Sequence, residues 1–331
     1  MQDTETKLKE TVKGLFAAEK VELVIGYERG TLPLRARPCF LRSAETADRL
    51  VWNSFCTNNL AVYLPPLFQR PPNLRGEFAP PTVGIVAKGC DARSIVGLLK
   101  ENQVPRENVV IIGMPCPGMV DAAKFAAAAG GRGVADAAIG PDGTIQVTTN
   151  SGRTKTLTRE QALAEACLEC DHPSAACADM TVEGTARDAA EERYRKVAEF
   201  EAKSPEERWR YFLDEISRCI RCYACRQACP NCYCRVCFAE QTKPEWIGHG
   251  DHPSDVVVYH IGRIFHQAGR CVECDACVRA CPMNIDLRLF TQKLGKDVLE
   301  LFDSVPGLSI DEPPPLCTFA PDDSESFITE P

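Results

Sequence analysis

The sequence predicts an α/β domain with a parallel β-α-β core, followed by a mainly α-helical domain. The first part rests on two apolar runs, Thr82-Val-Gly-Ile-Val-Ala87 and Asn108-Val-Val-Ile-Ile-Gly113, that bracket a stretch of helical spacing. The second rests on the charge-rich helical pattern of residues 185–218 and on the dense cysteine runs that follow it.

Taken in order, Met1 to Glu10 is polar and lacks the apolar core of a signal peptide. Residues 20–37 read as a hairpin, with Val21-Glu-Leu-Val-Ile25 leading into a Gly26-Tyr-Glu-Arg-Gly30 turn and a return over 32–37. Six prolines between Pro65 and Pro81 mark an irregular surface connection. The two apolar runs are then strands buried on both faces, and 91–102 is a helix with Ile95, Leu98 and Leu99 on one side. A further helix is expected over 119–129, closed by Gly130-Gly131. Gly140-Pro-Asp-Gly143 and Asn150-Ser-Gly152 are turns between short strands. Thr158-Arg-Glu-Gln161 is a capping box that starts a helix toward Cys167, and Ser204-Pro-Glu-Glu207 caps another. Helical spacing returns at 254–268 and after Pro282, at Leu287, Leu289, Phe290 and Leu294. The expected division is therefore 1–184 for the α/β domain and 185–310 for the helical domain. Residues 311–331 are an acidic, proline-rich tail, poorly ordered and free to lie on a partner subunit.

A net charge of −8 with no basic run excludes a nucleic-acid or anionic-membrane footprint. No stretch reaches the apolar length of a transmembrane helix, so a cytoplasmic location is expected. The 19 cysteines demand another explanation, because a reducing compartment disfavours a disulfide framework. Most of them fall in tight groups, and clustering of that density points to metal.

Cys219-x2-Cys222-x2-Cys225-x3-Cys229-Pro230 recurs as Cys271-x2-Cys274-x2-Cys277-x3-Cys281-Pro282. Three thiolates at this spacing can wrap three corners of a cubane, and the fourth, followed by proline, turns toward the other cluster. The first 4Fe-4S set is then Cys219, Cys222, Cys225 and Cys281; the second is Cys271, Cys274, Cys277 and Cys229. Zinc is the alternative, although its runs supply cysteines in pairs. The helical surroundings resemble the all-helical dicluster ferredoxin of heterodisulfide-reductase and succinate-dehydrogenase subunits. His249, His252, His260 and His266 lie nearby without ligand spacing and read as packing or surface residues.

A third site is expected in the α/β domain. Cys90 and Cys116 follow the two parallel strands, where open α/β sheets place ligands, and each is read as preceding a helix N-terminus. Lys88 and Arg93 add positive charge, and Cys167-x2-Cys170 offers two more thiolates. Cys90, Cys116, Cys167 and Cys170 make a third 4Fe-4S set, with Cys56 as the rival fourth ligand; buried structural thiols and zinc are the alternatives. Cys232, Cys234 and Cys237 form a further candidate group, whereas Cys39, Cys177 and Cys317 are isolated.

Lys88-Gly-Cys90, Gly113-Met-Pro-Cys116-Pro-Gly118, and Cys167-Leu-Glu-Cys170 followed by Ala178-Asp-Met-Thr-Val-Glu-Gly184 resemble the coenzyme F420 hydrogenase/dehydrogenase beta-subunit family, formate dehydrogenase type, over roughly residues 80–185. The resemblance implies an electron-transfer protein that carries clusters and a flavin, FAD. One departure stands out: where the family carries a glycine-rich segment that helps hold FAD, this sequence reads Trp52-Asn-Ser-Phe-Cys-Thr-Asn-Asn-Leu-Ala61, without glycine.

The expectation is an electron relay for a partner that oxidises formate or hydrogen, passing electrons to a heterodisulfide-reductase-like module, a flavin or another carrier. The rivals are a flavoenzyme acting itself on coenzyme F420 or NAD(P)H, and a non-redox zinc-binding assembly module. No hydrolase triad, P-loop or dinucleotide fingerprint suggests independent chemistry of other kinds. Anaerobically purified protein should carry about eight iron and eight acid-labile sulfide per chain from the two runs, and about twelve with the third set. A reproducible full occupancy of about four iron would overturn the crossed assignment, because the two runs share ligands.

Overall fold

A computed structural model describes residues 2–32, 35–128, 134–139 and 144–315. It opens on helix α1 (Gln2–Ala17), which turns Leu8, Val12 and Leu15 inward on one face. The polar start of the chain is thus an amphipathic helix whose stripe falls largely beyond residue 10. Strands β1 (Leu23–Arg29) and β2 (Ala36–Leu41) pair antiparallel, with Val24 opposite Leu41. The expected hairpin exists, but Gly26 to Arg29 are strand, and the reversal lies beyond Gly30. A short helix α2 (Leu64–Phe68) interrupts the proline-rich connection.

Strand β3 (Val83–Ala87), helix α3 (Gly89–Lys100) and strand β4 (Val109–Gly113) form the expected parallel unit, with Ile85 opposite Ile111. Helix α4 (Ala122–Ala128) follows, and β5 (Val134–Ile139), β6 (Ile145–Thr149) and β7 (Thr154–Leu157) make a separate antiparallel sheet. The capping box at Thr158 holds, but its helix α5 (Arg159–Ala162) stops and restarts as α6 (Glu165–Leu168). A two-residue strand β8 (Met180–Thr181) completes the main sheet in the order β2-β1-β3-β4-β8. The helical part comprises α7 (Arg195–Glu201), α8 (Pro205–Ile216), α9 (Ala224–Gln227), α10 (Pro253–Phe265), α11 (Ala276–Ala280) and α12 (Leu287–Phe302). Residues 185–194, expected to be helical, are not. The closing glycines 130–131, the 140–143 turn, Cys317 and the tail from 316 lie outside the described residues.

Separate apolar cores support the two halves. One gathers α1, the main sheet and α3 around Val24, Ile85, Ile95 and Ile111. In the helical half Phe212, Ile216, Val256, Ile264 and Phe290 pack together, with Phe212 and Phe290 edge to face at 5.2 Å.

A buried polar knot joins the halves. Arg288 on α12 donates to Glu169 beside α6 at 2.6 Å, both side chains 5% exposed or less. Gln292, one turn further, donates to Glu169 at 3.3 Å and to Glu273 at 3.2 Å, and Arg193 pairs with Glu273 at 2.7 Å. Removing one member leaves an uncompensated buried charge. Arg288→Met should therefore cost about 3–5 kcal/mol of unfolding free energy, read as a lower midpoint of denaturant unfolding under anaerobic conditions. An unchanged midpoint would show that the knot carries no stability.

Candidate metal centres

The two cysteine runs adopt one backbone solution twice. In the first, Arg221 and Tyr223 flank Cys222 in the left-handed region, at φ 50° and 59°. In the second, Glu273 and Asp275 flank Cys274 in the same way, at φ 59° and 63°. Non-glycine residues rarely accept this conformation, and four at matched positions mark a loop built for a purpose. The N–H groups of Arg221 and Glu273 point back to Cys219 Sγ and Cys271 Sγ, both at 3.4 Å. Each run then enters a short helix, α9 or α11, that carries its third cysteine.

The thiols meet across the runs. Cys219 stands in electrostatic contact with Cys225, Cys281 and Cys222. Cys229 leaves its own run to line a cavity with Cys271, Cys274 and Cys277. Cys222 is exposed and the other seven are partly or fully covered.

A second cavity lies in the α/β half. Cys90, Cys116, Cys167 and Cys170 line it together, with Arg93 and His172. Cys90 occupies the first turn of α3, just beyond β3. Its neighbour Gly89 lets the loops close: a Cβ there would sit 2.0 Å from the His172 carbonyl oxygen. Cys116 lies beyond β4 but six residues ahead of α4, so it does not sit at a helix N-terminus as expected. A backbone donor takes the place of the helix at Cys116, from Gly118, and Met119 N–H reaches Cys167 Sγ at 3.1 Å. Lys88 is spent elsewhere, paired with Asp91 at 2.8 Å and donating to the Asn58 carbonyl at 2.8 Å and to Tyr27. Arg93 and Arg187 are the cations that line the cavity: Arg187 donates to the Cys170 carbonyl, and Arg93 has its Nη2 unpartnered among the described residues. Cys56 is buried outside the lining, its Sγ 3.7 Å from the Val51 carbonyl, and burial pushes its thiol up to about 12.

The two cavities share a wall of Val272, Glu273 and Cys274. Arg279 donates to the Cys274 carbonyl and to the Thr57 carbonyl, both at 2.9 Å, and so pins the second run to the α/β half. Val272, Glu273 and Arg279 carry no signal in the sequence, because only the folded chain brings them to the α/β site. His172, on the loop after Cys170, carries none either.

The donor chemistry suits cubanes. Burial lifts Cys116 and Cys271 to about 12, and Cys90, Cys274 and Cys277 also stand above the ordinary thiol value. A metal supplies the positive charge that such thiols need in order to ionise. Among the described residues, no three Cys, His, Asp or Glu side chains converge as one ion requires. The thiols line cavities instead.

Of the remaining cysteines, Cys232 lies beside Cys229, with Gln267 Nε2 at 3.7 Å from its sulfur. Cys237 borders Arg226, Cys234 is exposed, and Cys232 and Cys234 line one cleft together with Cys229. Cys39 is buried, and Cys177 Sγ faces the Leu308 carbonyl at 3.6 Å. His249, His252 and His266 are exposed, whereas His260 is buried against Tyr259. A cleft of about 1170 Å³ opens between residues 57–69 and the first run, lined by Tyr63, Phe125, Cys229, Cys232, Tyr233 and Arg235 among others.

Residues 81–199 match the sequence profile of the C terminus of the coenzyme F420 hydrogenase/dehydrogenase beta subunit. The F420-dependent formate dehydrogenase subunit beta of Methanocaldococcus jannaschii is 31% identical over 108 residues, covering 33% of this chain and 27% of that protein. The F420-dependent formate dehydrogenase 1 subunit beta of Methanococcus maripaludis is 26% identical over 100 residues, covering 30% and 25%. The matches thus span about a quarter of the length of these relatives. A chain of the F420-reducing [NiFe] hydrogenase complex from Methanosarcina barkeri aligns over 52% of this chain and 63% of its own, at 14% identity and a TM-score of 0.37.

Cys90→Ala or Cys116→Ala should each remove about four iron and spare the sets in the two runs, whereas Cys56→Ala should keep the full content. Gly89→Ala should mimic the first pair by forcing the loops apart. Iron and sulfide analysis of anaerobic protein decides this, and full metal in both cysteine variants would make those thiols structural.

Proposed function

The chain belongs, through residues 81–199, to the coenzyme F420 hydrogenase/dehydrogenase beta-subunit family, and on that premise we propose that it is the iron–sulfur electron-transfer subunit of a dehydrogenase or hydrogenase complex. The reading takes 1–184 and 185–310 as its two modules. It takes Cys219, Cys222, Cys225 and Cys281, then Cys271, Cys274, Cys277 and Cys229, then Cys90, Cys116, Cys167 and Cys170, as three 4Fe-4S ligand sets. Formate or hydrogen oxidation belongs to a partner subunit. The acceptor is a heterodisulfide-reductase-like module, a flavin or another carrier.

The observation that carries the proposal is the position of Cys274, which lines both cavities. Bound clusters supply one-electron storage at three adjoining points. What the chain does is hold those points in a row. The shared wall sets the α/β site against the second set, and the crossed cysteines clasp the second set to the first. The N–H groups of Arg221, Glu273 and Met119 offer donors to thiolate sulfur, which favours the anionic ligand. The cysteines in the middle of the row are partly covered, while Cys222 leaves the far end open to solvent and to a partner.

The cleft favours a second reading, in which the chain itself holds FAD and reacts with coenzyme F420 or NAD(P)H. Its volume lies just above the usual range for a small-molecule site. Thr57, Asn58 and Asn59, from the glycine-free segment, line it with Tyr63 and Tyr233. A flavin spectrum released by acid from purified protein would support this reading, and its absence would leave the relay alone.

A relay can be broken without touching the partner's chemistry. Cys274→Ser replaces a thiolate by a hydroxyl that stays protonated near neutral pH, so the middle of the row should be lost or displaced in potential. Electron transfer from the partner's substrate to the natural acceptor should fall steeply in the assembled complex. Reduction of an artificial dye at the catalytic subunit should persist. Full transfer to the natural acceptor in that variant would remove this chain from the electron path.

A further inference from the structure

Arg263 lies on α10, which carries none of the proposed ligands. It is 4% exposed and lines the cavity formed by Cys229, Cys271, Cys274 and Cys277. Its Nη2 donates to the carbonyl of Cys225, a member of the other set, at 3.0 Å. Its Nε and Nη1 are buried and have no hydrogen-bond partner among the described residues. No carboxylate pairs with it among the described ion pairs, in contrast to Arg193, Arg270 and Arg288. A buried guanidinium with two idle donors and no carboxylate is costly, and persists where something anionic completes it.

Thiols of both sets stand in electrostatic contact with it, Cys277, Cys225 and Cys229 together with Cys232, while Glu273, Asp275 and Arg288 line the same cavity. These cysteines include members of both crossed sets. Of its ionisable neighbours on the helix, Tyr259 is held neutral by burial, and His260 is buried and pushed down to about 4 by burial and by the cations Arg263 and Arg221, so neither adds a charge near neutral pH.

We infer that Arg263 sets the reduction potential of the cluster pair, by fixing one positive charge and two free N–H donors between the two thiolate sets. The inference rests on the ligand assignment proposed above. A cluster that accepts an electron becomes more negative, and a fixed cation beside it stabilises that form more than the oxidised one. Hydrogen bonds to cluster sulfur act in the same direction. Arg263 is thus a positioning residue for charge rather than a ligand, and one side chain acts on both clusters together.

The test is a redox titration followed by electron paramagnetic resonance on anaerobic full-length protein, with iron analysis of every sample. Arg263→Met should keep the iron of the two runs and make both clusters harder to reduce, by about tenfold in the reduction equilibrium, which is about 59 mV for one electron. Arg263→Lys keeps a charge but loses the fork, and its clusters should fall between wild type and Arg263→Met. Unchanged potentials in loaded Arg263→Met, or equal shifts in the two variants, would overturn the inference. Should Arg263→Met fail to load, Arg263→Lys decides alone: a lower potential than wild type supports the role, and an identical one removes it. Wild-type protein without iron would instead overturn the ligand assignment itself, which the iron analysis reports separately.

Discussion

The knot of Arg288, Glu169, Gln292, Glu273 and Arg193 is the constraint on which the remaining geometry depends. Glu169 immediately precedes Cys170, and Glu273 immediately precedes Cys274. The same carboxylates that satisfy the arginines therefore fix two cysteine loops from different halves of the chain. An apolar interface could hold two modules together with equal strength. It would not impose the one registry that places Cys274 on the wall of both cavities. Buried polar contacts are directional, and here direction is what the site requires.

The repeated backbone of the two runs shows how local sequence and long-range packing divide the work. Cysteine spacing and paired left-handed residues around Cys222 and Cys274 shape each loop from within. The meeting of Cys229 with Cys271, Cys274 and Cys277 around one cavity cannot be arranged locally. It depends on the helical half bringing the ends of both runs together, with Tyr259 of α10 and Ile285 and Leu287 near α12 in the same apolar cluster as Cys225, Cys277 and Cys281. Strain in the loops is thus held by a core made of ordinary helix packing.

Legibility in the sequence follows the range of the interactions involved. The β3-α3-β4 unit is readable because buried parallel strands are continuous apolar runs, and the caps at Thr158 and Ser204 are readable because they close within four residues. The hairpin is misplaced because Gly26 reads as a turn, yet it serves a strand that presses on Leu50, whose Cδ2 would meet a Cβ at 2.4 Å. The α1 stripe escapes notice because a polar opening masks Leu8, Val12 and Leu15. Cys116 reads as a helix start because Met119 and Val120 look like its first turn, although both are buried ahead of α4. Arg263, Arg279 and His172 cannot be found by spacing, since each gains its place only when distant segments meet.

The common wall of Val272, Glu273 and Cys274 also bears on how such a chain can change over generations. A module that ends cleanly at its own surface can be exchanged, duplicated or encoded apart. Here three consecutive residues of the helical half form part of the lining of the α/β site, and Arg279 anchors them to the Thr57 loop. A recombination joint between the halves would deliver an α/β unit with an open flank and a helical unit with a buried carboxylate exposed. Substitutions on either side of the wall therefore act on one and the same lining.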